Sequence, residues 1–430
     1  MSKKKTRKAK EMEMIQHSRL ITVEDYAPYI GHEAVDRIRK KASRLQGLHV
    51  ANVNSTYYGG GVATLLSSMT LLMNGLGLHT GWRVIQGAPD FFGVTKQMHN
   101  ALQSGRMNLT PKRKRIYQDV VYENSIRNHL EHHDLVVVHD PQPLPLIQHY
   151  RKKIPWIWRC HIDLTKPQPE VWDYLRQFVE RYDAAIFSLP EYGKKMKVPQ
   201  VFFMPAIDPY TIKNQPISAA GARKVFQEYG IPTDLPIVTQ VSRFDKWKDP
   251  EGVIKAYKIA RRKADCTLVL IGNGATDDPE GQQVYESLLS ERDERVIIST
   301  AGDDSDLINA LQTHSAVVIQ KSIREGFGLT VTEAMWKGTP VIGGNCGGIR
   351  YQIKDGETGY LVSNVEECAD RIVRLVRDKR LRGRMGKAAR ENVRKKFLMT
   401  RLVEEYLNLF LALTTRIQMD RKARVSMCFS

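Results

Sequence analysis

Strand-like and helix-like segments alternate along most of this chain of 430 residues. The strand-like runs are short and almost continuously apolar, and stretches with helical spacing separate most of them. Strands that are apolar along their whole length are typical of parallel sheets that helices cover on both faces. The alternation therefore predicts an α/β fold built on doubly wound parallel sheets.

Two series of strands divide the chain. A segment from Ile207 to Pro236, which contains four prolines, separates them and is the natural linker. We therefore predict two Rossmann-like domains that face each other across a cleft, at residues 21–230 and 231–396. Residues 1–20 are predicted to form a basic flexible tail, and residues 397–430 a helix that crosses back to the first domain, plus a tail. The predicted strands are at residues 48–53, 82–86, 135–139, 156–161, 184–188, 201–204, 236–242, 267–271, 296–298, 316–320 and 340–342.

The chain carries a formal net charge of +18 and five cysteines. The positive excess attracts polyanions without specifying which, and no sequence signature indicates a specific nucleic-acid partner. The cysteines are scattered without metal-ligand spacing, which favours reduced thiols and excludes disulfide scaffolds and zinc ribbons. No apolar window approaches the ~18 residues of a membrane span, and the basic start lacks the apolar core of a signal peptide. We expect a cytoplasmic protein whose oligomeric state the sequence leaves open, a homodimer included.

The strongest candidate site follows the predicted strand at residues 316–320. The stretch REGFGLTVTEAM begins at Arg324, places a glycine on each side of Phe327 and runs into a predicted helix. Glycines there let backbone N–H groups approach a ligand closely, and a helix N-terminus favours an anion. Glu325 lies in the loop and Glu333 about a turn into the helix, so the two carboxylates can hold different hydroxyl pairs of one elongated ligand. A carboxylate on a ribose diol is a familiar feature of nucleotide sites.

A second candidate site follows the first strand of the second domain. Arg243 and Lys248 stand five residues apart across a turn, just before a predicted helix that begins at Pro250. The planar fork of arginine and the compact charge of lysine suit a diphosphate. A basic surface turn explains the same residues equally well when the pattern is taken alone.

Two strand ends of the first domain supply further candidates. His161 ends an apolar strand, and Asp163 is placed to orient its ring, although a structural histidine is an equal alternative. Asp140 and Gln142 follow the preceding strand and offer acceptors and a donor for sugar hydroxyls; a turn shaped by prolines explains them almost as well. The glycines at residues 59–61 permit a tight turn and bring a helix N-terminus close to a ligand.

Two other patterns are predicted to be structural. The run Asp303-Asp304-Ser305-Asp306 resembles a metal-binding DxD motif, but it precedes a helix, where Asp and Ser are preferred caps. Cys346 lies between two pairs of glycines after a strand. We predict helix capping for the first pattern and a place in the wall of the site, without a catalytic role, for Cys346.

The candidate residues resemble a known family. Glu325 and Glu333 match the E-x7-E motif of retaining glycosyltransferases of family four, which have the two-domain GT-B fold, and Arg243 and Lys248 match that family's pair at the leaving diphosphate. Trehalose glycosyltransferring synthases are the narrower resemblance, and fungal-type retaining trehalose phosphorylases are close relatives. The similarity runs from about residue 24 to about residue 413. The stretches that carry it are VNSTYYGGGVA, VVHDPQP, WIWRCHIDL, TQVSRFDKWKD and SIREGFGLTVTEAMWKGTPVIGG.

The resemblance implies transfer of glucose from a nucleoside diphosphate glucose to C1 of free glucose, which gives α,α-trehalose with retention of configuration. It places Glu333 on the donor ribose, and Glu325 and His161 on the transferred glucose. Since GT-B enzymes generally hold the diphosphate with protein charges, we expect no cofactor and no essential metal. The predicted catalytic residues are Arg243, Lys248, Glu325 and His161. The predicted donor-binding residues are Gly60, Gly61, Gly326, Phe327, Gly328, Leu329 and Glu333, and the predicted acceptor-binding residues are Asp140, Gln142 and Asp163.

A front-face displacement without a covalent enzyme intermediate is the expected mechanism. A retaining glycosidase needs two carboxyl groups roughly 5 Å apart, whereas Glu325 and Asp163 are predicted to lie on different domains. The leaving phosphate would then help to deprotonate the acceptor. The alternatives are a retaining trehalose phosphorylase and a family-four transferase with another small acceptor. The base of the donor nucleotide and the reversibility of the reaction stay open.

Overall fold

The computed structural model describes residues 20–57, 60–272 and 279–428. The predicted basic tail, apart from Leu20, lies outside these ranges, as does Gly59 of the predicted glycine turn. Within the described ranges, no helix is both long and apolar enough to cross a membrane.

Two parallel six-stranded sheets form the framework of the chain, which confirms the predicted pair of doubly wound α/β units. The first sheet has the order β2-β1-β3-β4-β5-β6, and the second has the order β12-β11-β10-β7-β8-β9. The first sheet consists of β1 (His49–Asn54), β2 (His79–Val84), β3 (Leu135–His139), β4 (Trp156–Arg159), β5 (Ala184–Phe187) and β6 (Gln200–Phe202). The second consists of β7 (Ile237–Val241), β8 (Thr267–Ile271), β9 (Val296–Ser299), β10 (Val317–Gln320), β11 (Val341–Gly344) and β12 (Gly359–Val362).

Helices cover both sheets, and several begin where the sequence supplies a proline at the first turn, a position that needs no N–H donor. Those with such a proline include Pro89–Leu102, Pro111–Asn128, Pro169–Val179 and Pro250–Ala260. The other α-helices are Ala27–Ile30, His32–Ser43, Gly60–Gly75, Ala219–Glu228, Pro279–Leu288, Ser305–His314, Leu329–Trp336, Ile349–Gln352, Val365–Arg377, Lys379–Lys396 and Met399–Cys428. Short 3-10 segments are Val23–Tyr26, Leu130–His132, Leu144–His149, Pro190–Tyr192, Ile212–Asn214, Lys246–Lys248 and Leu289–Glu291.

Two strands at sheet edges differ from the prediction. β12 was not predicted, because this run of four residues begins at a glycine and follows a turn at Gly356, so its apolar signal is short. β2 begins three residues earlier than predicted, since its register pairs His79 with His49 of β1. An edge strand tolerates polar residues that would be costly in the middle of a parallel sheet. Apolar runs are therefore weakest as a guide at sheet edges.

The chain crosses between the two units twice, and the crossings lie side by side. The N–H of Ile207 donates to the carbonyl of Phe397 at 2.8 Å, and the N–H of Met399 donates to the carbonyl of Ile207 at 2.9 Å. The helix Ala219–Glu228, which lies before residue 231, packs its apolar side into the core of the second sheet. Residues 399–413 of the helix Met399–Cys428 pack on the first unit.

The apolar stripe of the last helix belongs to the core, as the sequence predicted. Leu402, Tyr406 and Leu413 are buried in a cluster with the strands of the first sheet, and Leu409 is partly buried against it. Residues that follow the carboxyl ends of strands in both sheets line a shared cleft. Ligands of open α/β sheets bind at such a place.

Candidate active site

A cleft of about 960 Å³ lies between the two units and is lined by residues of both. Gly60 begins the helix Gly60–Gly75, and neither Gln142 nor Asp163 is part of the lining. The structure therefore brings most of the predicted residues together from distant parts of the chain. Those in the lining are Gly61, Asp140, His161, Arg243, Lys248, Glu325, Gly326, Phe327, Gly328, Leu329 and Glu333.

Glu325 is a buried carboxylate that pairs with a lysine from another loop. Its Oε2 lies 2.6 Å from Nζ of Lys248 and 3.2 Å from the Ser322 hydroxyl. The loop then reaches Gly328, whose φ of +86° lies in the left-handed region that glycine adopts most readily. The next residue begins the helix Leu329–Trp336, so the loop, the helix N-terminus and one ion pair meet at the cleft.

The Arg243–Lys248 turn directs two cations at the same region. Asp245 accepts the backbone N–H groups of Trp247 and Lys248, which fixes the 3-10 turn, and its other oxygen pairs with Arg243 at 3.1 Å. The Lys248 side chain is 16% exposed and that of Arg243 is 50% exposed. A fixed turn that holds one partly buried and one exposed cation at a cleft is suited to bind an anion.

Glu333 lies deeper, in a small polar network. Its Oε1 is 2.5 Å from Nζ of Lys213, and its Oε2 accepts from Nε2 of Gln312 at 3.4 Å. Burial alone would raise the pKa of Glu333, but the charges of Lys213 and Lys337 outweigh it and hold the pKa below its ordinary value. Burial lowers the pKa of Lys337 to about 7, despite the opposing effect of Glu333. Glu333 is therefore ionised and able to accept hydroxyl hydrogens.

The prediction that Asp163 orients His161 is wrong. Nε2 of His161 lies 3.1 Å from Nδ1 of His139, and Nε2 of His139 lies 3.1 Å from Oδ1 of Asn52. Asp163 instead accepts from the backbone N–H and hydroxyl of Thr165, two residues further on, which is the local turn that Asp favours. Burial is the main reason that the pKa of both imidazoles is lowered, to about 3 for His139. Because both rings are neutral, one of the two facing nitrogens carries the hydrogen and the other accepts it, so the tautomers of His139 and His161 depend on each other.

Asp140 combines backbone strain with a perturbed carboxyl group. Its φ of +62° is unusual for a residue with a side chain, and such strain concentrates at functional sites. Oδ1 accepts the backbone N–H of His161 at 2.8 Å, and the Asp140 carbonyl accepts from Nε1 of Trp158 at 3.0 Å. Burial raises the pKa of Asp140 to about 7, although the His161 N–H and Arg159 act against it. Among the described residues, Gln142 Oε1 is a buried acceptor without a partner, and Gln142 is not among the residues that line the cleft.

Contacts between the units close one side of the cleft. The Tyr192 hydroxyl donates to the carbonyls of Glu325 and Gly326, at 3.1 and 2.9 Å. A side-chain carbon on Gly326 would lie 2.6 Å from the His161 carbonyl oxygen. The close contact between the two domains therefore requires a glycine at position 326, whether or not a ligand also approaches the backbone there. Arg350 and Tyr351 both contact the carboxylate of Glu191, at 2.6 and 2.7 Å.

The acidic run has the predicted capping role, whereas Cys346 is not among the residues that line the cleft. Asp304 caps the helix Ser305–His314 by accepting the N–H of Leu307 at 2.8 Å. The Cys346 thiol donates to the Ser322 carbonyl at 3.1 Å, and burial, followed by the charge of Glu325, raises its pKa to about 12. A thiol with so high a pKa is a poor nucleophile.

Sequence reasoning missed residues that only the fold brings to the cleft. Lys213 belongs to a linker without a motif, and His99 faces the cleft from the helix Pro89–Leu102. Burial, followed by the charge of Arg243, lowers the pKa of His99 to about 3. His139 could have been found, because it ends a fully apolar strand directly before Asp140.

Comparison with known proteins identifies the family. Residues 52–194 match the family described as the N-terminal domain of trehalose synthase, and residues 222–392 match glycosyl transferases group 1. A trehalose synthase from Pyrococcus horikoshii is 44% identical over 395 residues, which is 90% of this chain and 95% of that protein. A trehalose phosphorylase from Pleurotus pulmonarius is 27% identical over 430 residues, covering 86% of this chain and 58% of that protein.

Solved structures show the fold. A sucrose-phosphate synthase from Thermosynechococcus elongatus superposes with a TM-score of 0.69 at 18% identity, covering 86% of this chain and 100% of that chain. This likeness confirms the predicted GT-B fold. Together with the identity to the P. horikoshii protein over nine-tenths of the chain, it shows that this protein is a glycosyltransferase of the trehalose synthase family.

Proposed function

We propose that this protein transfers glucose from a nucleoside diphosphate glucose to C1 of free glucose and so makes α,α-trehalose with retention of configuration. One observation carries the proposal: each glutamate of the E-x7-E motif is paired with a lysine at a two-domain cleft, Glu325 with Lys248 and Glu333 with Lys213. Ionised carboxylates suit the hydroxyls of a sugar and a ribose, and the nearby cations suit a diphosphate. The relatives named trehalose synthase support the choice of product.

The donor is assigned to the second domain. Glu333 accepts the ribose hydroxyls, and Arg243 and Lys248 neutralise the diphosphate. Glu325 accepts hydroxyls of the glucose to be transferred, on the side of the cleft that faces His161. Nε2 of His161 is engaged by His139, so Nδ1 is the ring nitrogen left for the sugar. We assign the diphosphate charge to the protein and propose that no metal or other cofactor is essential.

The acceptor glucose is assigned to the first domain, beside Asp140. Gln142 and Asp163 lie outside the lining, so of the three predicted acceptor residues we retain Asp140. Its carboxyl group has one oxygen on the His161 N–H and a second oxygen to offer to an acceptor hydroxyl. A pKa of about 7 lets this group hold or release a proton near neutral pH.

The reaction follows as a front-face displacement. The bond between glucose C1 and the diphosphate oxygen breaks, and its electron pair goes to that oxygen, where Arg243 and Lys248 stabilise the growing charge. The O1 hydroxyl of the acceptor forms a new bond to C1 from the same face, and its proton passes to the leaving phosphate. Oδ1 of Asp163 accepts from the backbone N–H and the hydroxyl of Thr165, so we assign Asp163 no role as a second carboxyl group beside Glu325.

Product identification tests the proposal. The pure protein is incubated with glucose and UDP-, ADP- or GDP-glucose in parallel, and separate tubes contain trehalose with inorganic phosphate. Trehalose together with a free nucleoside diphosphate supports the synthase and names its donor. Glucose 1-phosphate formed only in the phosphate tubes would transfer the assignment to a phosphorylase, the activity named for the more distant fungal relatives. No product in any tube would mean that the proposed substrates are wrong.

A further inference from the structure

Lys213 is a cationic side chain that reaches the cleft from the linker between the two units. It lies in the 3-10 segment Ile212–Asn214 and lines the cleft. Its Nζ is 2.5 Å from Oε1 of Glu333, with the lysine side chain 21% exposed and the glutamate 6% exposed. No other predicted site residue comes from this segment, and no motif marks it.

The linker backbone is held from both sides, which fixes where Lys213 starts. On the first unit, the Tyr26 hydroxyl donates to Oδ1 of Asp208 at 2.8 Å. On the second unit, Nδ2 of Asn309 donates to the carbonyls of Ile212 and Gln215, at 3.2 and 2.8 Å. The ammonium group of Lys213 therefore approaches Glu333 from a defined direction.

Two lysines lie beside Glu333, and they differ in what they contact. Lys337, whose pKa burial lowers to about 7, donates through Nζ to Asn214 Oδ1 at 3.0 Å, to Gln312 Oε1 at 2.7 Å and to the backbone carbonyl of Glu333 at 3.5 Å, whereas Lys213 contacts the carboxylate directly. Gln312 in turn donates to Oε2 of Glu333 at 3.4 Å. Lys213 adds a second cation on the side that faces the cleft.

The oxygens of Glu333 have acceptor capacity left. A carboxylate offers about four lone-pair sites. Oε1 uses one site for Lys213 and Oε2 uses one for Gln312, so each oxygen keeps a further site. To accept hydrogen bonds from two vicinal hydroxyls at once, the carboxylate must present one oxygen to each hydroxyl. The plane of the carboxylate must therefore be held in one orientation.

We propose that Lys213 is a positioning residue that holds the Glu333 carboxylate in the orientation that accepts the 2′- and 3′-hydroxyls of a nucleoside diphosphate. The inference rests on the proposed function, because it requires a nucleotide donor. Since Lys213 belongs to the linker, it also couples recognition of the ribose to the relative placement of the two domains.

The test measures the coupling between Lys213 and the ribose hydroxyls without any turnover. Binding of UDP, ADP and GDP to the wild type is measured by calorimetry, and the base that binds best is then compared with its 2′,3′-dideoxy analogue. We expect the wild type to bind the analogue about 10-fold or more weakly, as for loss of hydrogen bonds to a charged group. In Lys213→Met this difference should shrink to about 3-fold or less, because Glu333, then held only at Oε2 by Gln312, no longer keeps both oxygens in the orientation that favours the diol. Lys213→Arg should keep most of the difference.

Controls separate the possible failures. Lys258→Met removes an exposed lysine that pairs with Glu291 on the same domain, and it should leave the ribose preference unchanged. Lys213→Gln serves if Lys213→Met does not fold, as judged by circular dichroism. An unchanged ribose preference in folded Lys213→Met or Lys213→Gln would overturn the role of Lys213. If the wild type binds none of the three nucleotides, the proposed function itself is refuted, and this inference with it.

Discussion

Replacement of Asp140 by asparagine tests whether burial raises the pKa of the Asp140 carboxyl group in the folded protein. Burial raises its pKa from 3.8 to about 7. Between those pH values the folded protein binds a proton that the unfolded chain has released, so the stability of the wild type falls as the pH rises through this window. The amide that Asp140→Asn introduces cannot ionise, yet its oxygen can still accept the His161 N–H. The variant should therefore become more stable than the wild type as the pH rises from about 4 to 7, with a constant difference above that.

The size of this difference follows from the shift. Three pH units correspond to about 4 kcal/mol at ~1.4 kcal/mol per unit. Because Asp140 lines an open cleft and is only partly buried, we take this as an upper bound and expect roughly 2–4 kcal/mol above pH 7.

Urea unfolding of both proteins at a series of pH values from 4 to 8 measures the difference. Asp134→Asn is the matched control, since Asp134 lies at the opposite end of β3, is exposed, and accepts the His49 N–H at 2.9 Å. If the difference between wild type and Asp140→Asn does not change with pH, or changes equally in the control pair, the argument from burial is refuted.

Three further predictions concern the donor side and the domain contact. Lys248→Met should lower kcat by about 10²- to 10³-fold in steady-state assays, because it removes charge stabilisation at the leaving diphosphate; a change confined to KM would contradict that role. Gly326→Ala should lower the stability by about 1–3 kcal/mol in thermal unfolding, since the new carbon meets the His161 carbonyl. Gly383→Ala, at an open helical position, should instead be neutral or stabilising. Treatment with EDTA should leave turnover unchanged, and activity that only a divalent cation restores would show that a metal is needed.

The sequence predicts the framework well because apolar strands leave a strong local signal. Strands such as β3 and β7 are buried at every position, and they stand where the pattern placed them. The prediction is less accurate at two of the four edge strands: β2 begins three residues earlier than predicted, and β12, a run of only four residues, was not predicted. It also cannot decide which sheet a linker helix joins, since Ala219–Glu228 is assigned by its packing.

The candidate site was predictable where residues directly follow strands. Glu325, Asp140 and His161 reach the cleft for that reason. Asp163 was judged by its spacing from His161, but the side chain turns back to Thr165, and the true neighbour His139 comes from an adjacent strand. Contacts across strands depend on sheet order, which a single sequence does not reveal.

The contact between the domains explains why the site depends on more than its substrate-facing residues. Glu325 belongs to the second domain and His161 to the first, yet the loop of one touches the backbone of the other at Gly326. The Tyr192 hydroxyl holds the carbonyls of the same loop from across the cleft. In the proposed reaction the acceptor oxygen must reach C1 of the donor sugar, so a shift of about 1 Å at this contact would separate the two reactants. We therefore expect substitutions at Tyr192 or Gly326 to change the reaction rate through the distance between the domains.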